Sequence, residues 1–251
     1  MTAIRALLEY AAQEYLWLMP LYTEAGSISS VKTENHPIEY FEPDELKALL
    51  AAPSSETKTD RRNRMILIFL YDTAARVGEA KHVKLSDLHM EANIPYVTLL
   101  GKGRKYRNIP LMEKTVCHLK QYIFDFHGSG QKTEVPLFYA RIHGQTNELS
   151  SDTFEKMIKK YADQCRANGL TMPQKVHCHM LRKTRAMDLY REGVPLTHIQ
   201  QLLGHENIST TSGFYAFATL DVLAGALDKV KPDEGEKSWD DPETLDRLYR
   251  L

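Results

Sequence analysis

One interval of this chain changes the period of its hydrophobic pattern, and that change limits the fold more than any other feature. From Ile94 to Leu111 the sequence reads IPYVTLLGKGRKYRNIPL. It predicts a strand around Tyr96–Leu100, a glycine-flanked turn and a second short strand around Arg107–Leu111, which is a β-hairpin pattern. Everywhere else the spacing is helical. FEPDELKALLAA (Phe41–Ala52) opens a helix with an early proline and acidic residues in its first turn. DRRNRMILIFLYDTAARVGEAKHV (Asp60–Val83) reads as one long, largely buried helix that carries Arg76 at its end and breaks near Gly78. Further helices are expected at about 112–126, 151–168, 178–192, 195–203, 209–217 and 219–230. The fold class is therefore mainly α with a small antiparallel β-sheet (α+β).

At 251 residues and 43% hydrophobic, the chain can bury one sizeable core plus a small appendage. Residues 2–20 read as one amphipathic helix, with Ile4, Leu7, Leu8, Ala11, Tyr15 and Leu18 at three- and four-residue steps. TEAGSISSVKTENHP (Thr23–Pro37) has linker composition, so the boundary is placed there: residues 1–22 one helical piece, 23–37 a linker, 38–230 the main domain and 231–251 a charged tail. The tail ends in ETLDRLYRL, too short to be a stable helix without something to dock on. The longest apolar run, Met65–Tyr71, falls far short of a bilayer span, and the N-terminus lacks a signal peptide's basic flank. A cytoplasmic protein with no membrane partner is expected. Cys117, Cys165 and Cys178 are scattered and odd in number, which supports neither a disulfide framework nor a cysteine zinc site.

The net charge of -1 hides an uneven distribution. Residues 1–40 carry two basic and five acidic side chains, residues 231–251 four and seven, and the remainder 26 basic against 21 acidic. The basic groups of this middle region cluster in KTDRRNR, KGRKYR, KMIKK and RKTR. Any one such cluster is an ordinary solvated face. Four together fit a polyanion surface.

His179 and Arg182 lie three apart on one predicted helix and share a face. The helix PLTHIQQLL ends at Gly204, a C-terminal cap, with His205 directly after it and Tyr215 ten residues further on. Upstream, the hairpin turn offers Lys102, and Arg76 precedes Glu79 by three residues. Taken singly, each has a plain explanation: ion-paired arginines, capping histidines, a turn lysine, a core tyrosine. GKG lacks the frame of a phosphate loop. His177, Cys178 and His179 are too close in sequence to converge on one ion, and no metal is expected.

Taken in order, TAARVGEAKHVKLSDL, LLGKGRKYRNIPL, HMLRKTRA, LLGH and a downstream tyrosine resemble the catalytic domain of the tyrosine recombinases, the phage-integrase family. The resemblance covers residues 38 to about 230. IRALLEYAAQEY is similar to the last helix of that family's core-binding domain, whose earlier helices are missing here, and 231–251 to its subunit-exchange tail. The resemblance implies site-specific recombination, in integration or excision of a mobile element, through a 3′-phosphotyrosyl intermediate and without metal, nucleotide or other cofactor. It implies Tyr215 as nucleophile, Arg76 and Arg182 on the phosphate, and His179 as base. It also implies His205 as a hydrogen-bond donor, Lys102 as general acid and Glu79 behind Arg76. Arg104, Lys105, Arg107, Lys183 and Arg185 would grip DNA backbone. The resemblance further implies double-stranded DNA as partner and a homo-oligomer, dimer to tetramer, on paired sites. Family members commonly place the tyrosine nine residues after the LLGH histidine. That position is Phe214 here, so either one residue is inserted before Tyr215 or the chain is an inactive integrase that binds DNA or a partner. A type IB topoisomerase shares the tyrosine and arginines, but LLGH and the tail argue against it.

Overall fold

The computed structural model describes residues 2–28, 39–128, 133–142 and 144–204. Residues 1–37 and 38–251 form two separate compact units. His205, Tyr215, the two helices expected beyond Gly204 and the tail 231–251 lie outside the described residues.

The first unit is a helical hairpin, α1 (Thr2–Glu14) and α2 (Met19–Ser27), joined by a 3₁₀ turn at Leu16–Leu18. It replaces the single helix expected over 2–20. Tyr15 is extended (φ -126°, ψ 93°), and the helix restarts so that Pro20 falls in the first turn of α2, where its missing N–H costs nothing. Helix α2 runs through Ser27, into the stretch read as linker. The Arg5 Nε donates to the Ala25 carbonyl at 2.8 Å and closes the hairpin.

In the second unit, α3 (Pro43–Ala51) starts on a carboxylate cap: Glu45 accepts from the Glu42 N–H at 2.9 Å. Helix α4 (Lys58–Thr73) is capped by Thr57, whose hydroxyl accepts from the Asp60 N–H, and runs through the core with Met65, Ile66, Leu67, Phe69 and Leu70 buried. It ends earlier than its sequence indicates. Ala74 is left-handed at φ 49°, and a separate turn, α5 (Val77–Ala80), follows, so the break falls before Arg76 rather than near Gly78. Thr73 is one local cause: its hydroxyl donates to the Phe69 carbonyl at 2.6 Å and accepts from the Ala75 N–H at 3.3 Å. A left-handed alanine costs about 1–2 kcal/mol, and strain of this kind concentrates at functional sites.

Strands β1 (Leu88–His89), β2 (Tyr96–Leu100) and β3 (Tyr106–Pro110) form an antiparallel sheet in the order β1-β2-β3. Val97 pairs with Ile109 and Leu99 with Arg107, and Val97, Leu99 and Ile109 are buried. The two-residue β1 had no signature in the sequence. Helix α6 (Glu113–His127) crosses back over α4. A second hairpin, β4 (Tyr139–Ile142) with β5 (Gln145–Glu148), was not expected; β5 is exposed at all four positions and shows no apolar alternation. Helices α7 (Ser151–Ala167), α8 (His179–Arg191) and α9 (Leu196–Leu203) complete the described fold and match their expected positions within two residues.

Phe41, Leu49, Phe69, Leu99, Leu119, Phe138, Phe154, Tyr161 and Leu181 belong to one core. A smaller cluster of Ala74, Ala186, Met187, Ile199 and Leu203 seats α9 against α8 and the end of α4. Thr184 on α8 donates to the Met180 carbonyl at 2.8 Å and accepts from the Phe41 N–H at 2.9 Å, tying the start of the unit to α8. Replacing Thr184 by valine keeps the shape and orphans the buried Phe41 N–H, a loss of about 1–3 kcal/mol in urea denaturation, whereas Thr184→Ser is expected to lose less. Equal losses in the two variants would assign the effect to packing instead.

Candidate active site

The site begins with two backbone breaks. Where α4 stops at Thr73, the carbonyl of Ala74 is left without a helical partner, and Arg182 Nη1 donates to it at 2.7 Å. Arg182 Nη2 donates to the carbonyl of Leu203, at the end of α9. Arg182 is only 2% exposed, so its charge is held between two helix ends rather than in solvent. Helix C-terminal carbonyls carry partial negative charge, which offsets the desolvation of the guanidinium.

Arg76 stands at the start of α5 and is half-exposed. Glu79, one turn on, accepts from the Arg76 backbone N–H at 2.7 Å and from Arg76 Nη1 at 2.8 Å. Glu79 also accepts from Arg107 Nη1 at 2.8 Å and Nη2 at 2.7 Å. Burial pushes the Glu79 carboxyl up, but the Arg107 fork, the Arg76 N–H and the Arg76 side chain outweigh it and hold the group at about 2. Arg76 Nη2 lies 3.4 Å from the Gly204 carbonyl, the residue before His205. Gly204 caps α9 at φ 61°, a conformation that favours glycine.

His179 is the first residue of α8, one turn ahead of Arg182. Its outer face is exposed. Desolvation of the rest of the ring, then the charges of Arg182, Lys183, His177 and Arg76, push the imidazole down to about 4. Both arginines therefore act on His179 electrostatically, and the ring is neutral at neutral pH, with a lone pair free to accept a proton. The His177 ring lies 6.3 Å from that of His179. Among the described residues, no three or more His, Cys, Asp or Glu side chains are grouped to hold a metal ion.

Lys102 lies on the turn between β2 and β3, where Gly103 has φ 74° and Arg104 φ 59°. Arg104 and Lys105 are exposed on the same turn, and Lys183 is half-buried beside His179. Two of the five arginines and lysines expected to grip DNA are turned inward instead. Arg107 is bound to Glu79 and, through Nε, to the Leu202 carbonyl at 3.1 Å. Arg185 lies over the Tyr71 ring, 5.5 Å from its centroid, and 3.6 Å from Asp72. The strand period carries the signal for Arg107, since Arg107 and the buried Ile109 share a face of β3. The contact of Arg185 with Asp72, and that of Tyr71 with Asp188 at 2.7 Å, pack α8 on α4 and left no mark in the sequence.

Thus the fold brings Arg76, Glu79, Arg182 and His179 together, with the Lys102 turn joined to them through β3; the positions of His205 and Tyr215 fall outside the described residues. Replacing Glu79 by glutamine is expected to destabilise the chain by about 3 kcal/mol at neutral pH, because two arginines lose their shared counter-charge. The folded carboxyl lies below its usual 4.5, so its contribution is present above pH 4.5 and disappears as pH falls toward about 2. Denaturation curves of wild type and Glu79→Gln should therefore converge on acidification; a constant gap from pH 7 to 3 would contradict this.

A profile described as the phage integrase family matches residues 39–219. Tyrosine recombinase XerC of Staphylococcus haemolyticus is 33% identical over 185 residues, covering 73% of this chain and 58% of that protein. A putative integrase/recombinase, y4rC, of Sinorhizobium fredii is 30% identical over 239 residues, 95% of this chain and 70% of that protein. Among solved structures, a XerA recombinase is similar with a TM-score of 0.61 and 25% identity, over 92% of this chain and 82% of that one. The site-specific recombinase XerH, bound to a palindromic difH substrate in a post-cleavage complex, shares the fold at a TM-score of 0.64, 24% identity, 82% of this chain and 57% of that one. The chain thus spans little more than half the length of that XerC and that XerH.

Proposed function

Since the chain belongs to the phage integrase family, we propose that it is a site-specific DNA recombinase that cuts and rejoins DNA strands through a 3′-phosphotyrosyl intermediate. The observation that carries the proposal is the pair of anchored arginines, Arg76 and Arg182, whose charges both act on a neutral His179. Phosphoryl transfer asks chiefly for positioned positive charge on the non-bridging oxygens, and guanidinium forks match those oxygens.

In this reading the Tyr215 oxygen attacks phosphorus and the bond to the 5′-oxygen breaks. A phenol with a reference pKa of about 10 is a poor nucleophile at neutral pH, so His179 takes its proton as the bond forms. Lys102, from the hairpin turn, gives a proton to the departing 5′-oxygen, and His205 donates a hydrogen bond to the phosphate. The phosphotyrosyl bond keeps the energy of the diester it replaces. A 5′-hydroxyl from a partner duplex then reverses the step, and strands are exchanged without an external energy source. The substrate is double-stranded DNA with paired sites, the acting form an oligomer on those sites, and the setting the movement of a mobile element. Arg104, Lys105 and Lys183 hold backbone phosphates.

A second reading rests on one observation: Phe214 stands where family spacing would put the nucleophile, with Tyr215 one residue later. A chain disarmed in this way would bind DNA and regulate assembly. Incubating a nicked suicide duplex, drawn from a library of the DNA flanking the gene, with wild type, Tyr215→Phe and Phe214→Tyr separates the two. A covalent adduct with wild type that is lost in Tyr215→Phe is expected. Binding without an adduct, restored by Phe214→Tyr, would show a disarmed integrase.

Two further outcomes are expected of the active form. The apparent second-order rate of adduct formation should hold at acidic pH and fall only near pH 4, where His179 of the free protein takes up a proton and stops acting as base. A midpoint near the ordinary histidine value would contradict the lowered imidazole of His179. Replacing Arg104 and Lys105 together by alanine should reduce the slope of log K against log salt by about 0.9 for each phosphate no longer neutralised; an unchanged slope would place these side chains off the DNA.

A further inference from the structure

Glu79 accepts four hydrogen bonds, two from Arg107 and two from Arg76, one of the latter through the main chain. A carboxylate has about four lone-pair directions, so these bonds use its full capacity. Arg107 thereby takes up both oxygens of Glu79 with its fork, and Arg76 is left with a single side-chain bond to the carboxylate. The same arginine fastens two other pieces. Its Nε holds the Leu202 carbonyl, and it is sandwiched between Gly101 and Gly204, where a Cβ on either glycine would stand 3.2 Å from Arg107 Nη1. One side chain with 13% exposure therefore joins the hairpin that carries Lys102, the turn that carries Arg76 and the helix end that precedes His205.

From this geometry we infer that Arg107 is a positioning residue for strand cleavage: it neutralises Glu79, so that Glu79 aligns Arg76 without quenching its charge, and it locks hairpin and α9 to that alignment. The inference deepens the recombinase reading and rests on it. The mechanism is a matter of competition for one acceptor. With Arg107 present, the Arg76–Glu79–Arg107 group carries one net positive charge, and Arg76 keeps donors available for a phosphate. Without it, two lone pairs of Glu79 open, and the Arg76 fork is expected to turn onto the carboxylate in the bidentate arrangement that arginine prefers. The catalytic charge would then face protein rather than phosphate. Lysine cannot substitute, since a single ammonium cannot hold both carboxylate oxygens in the fork and also reach the Leu202 carbonyl.

The test compares wild type, Arg107→Met and Arg107→Lys on the nicked suicide duplex at saturating DNA, recording the first-order rate constant of adduct formation and the fraction of molecules that react. The expected result for Arg107→Met is a rate constant lower by about 100-fold, the scale of a small displacement of a catalytic group, at a reacting fraction close to wild type and a DNA affinity within about threefold. Arg107→Lys should recover less than about tenfold. A reduced reacting fraction or a lower melting temperature with an unchanged rate constant would mean that Arg107 only stabilises the fold, and would overturn the inference. A wild type without any adduct would sink the recombinase reading by itself. In that case the crystal structure of Arg107→Met decides on Arg107: Arg76 forked onto Glu79 supports the inference, and Arg76 in its wild-type position contradicts it.

Discussion

The carboxylate of Glu79, 6% exposed and surrounded by two arginines, is the interaction on which the rest of the site depends. A buried carboxylate without partners would take up a proton; this one is held at about 2 by the groups it organises. Its four acceptor positions set the distance between Arg76 and Arg107, and through Arg107 the register of β3 against α9. In the recombinase reading proposed above the consequence is preassembly: the positive charges for phosphate are placed by the protein before DNA arrives. Electrostatic stabilisation is worth most when its dipoles and charges need no reorganisation at the moment of reaction.

The fold supplies the means through helix ends. Helix α4 ends in a left-handed alanine, and its freed carbonyl receives Arg182; helix α9 ends in a left-handed glycine, and the Leu203 carbonyl receives the other arm of the same guanidinium. Arg182 is thereby a brace between two termini as well as a charge. The cluster of Ala74, Met187, Ile199 and Leu203 keeps those termini together, so hydrophobic packing fixes the geometry that the polar groups read out. Helix α8 contributes its first turn to the candidate site and its remaining turns to the packing: Thr184, Arg185 and Asp188 contact Phe41, Asp72 and Tyr71.

Much of this was legible in the sequence wherever periodicity is strong. Helices α6, α7 and α9 and the hairpin of β2 and β3 appeared near their expected places because their apolar spacing is regular; α7 also starts on the Ser150 cap and α9 ends on Gly204. His179 and Arg182 were recognisable as a pair by their three-residue step. Other features were hidden for physical reasons. The end of α4 has no glycine, proline or asparagine, only a left-handed alanine beside the Thr73 hydroxyl bonds, so the sequence reading placed the break at Gly78. Strand β5 is polar and exposed throughout and offered no alternation to read. Arg107 was grouped with its basic neighbours in KGRKYR, whereas the two-residue period of β3 sets it on the face of Ile109. Local charge composition pointed outward and strand geometry inward, and strand geometry prevailed because Glu79 waits on that side.

Preassembly is tested most directly by nitrogen-15 NMR of the arginine side chains in the DNA-free protein. Guanidinium groups held by several hydrogen bonds rotate slowly about the Nε–Cζ bond and show distinct Nη resonances, whereas solvated ones average to a single signal. Resolved Nη signals are expected for Arg76, Arg107 and Arg182 without DNA, and on Glu79→Gln the collapse of those of Arg76 and Arg107 while Arg182 stays resolved on its two carbonyls. Averaged signals for Arg76 and Arg107 in the wild type would contradict preassembly and mean that the site is assembled by DNA.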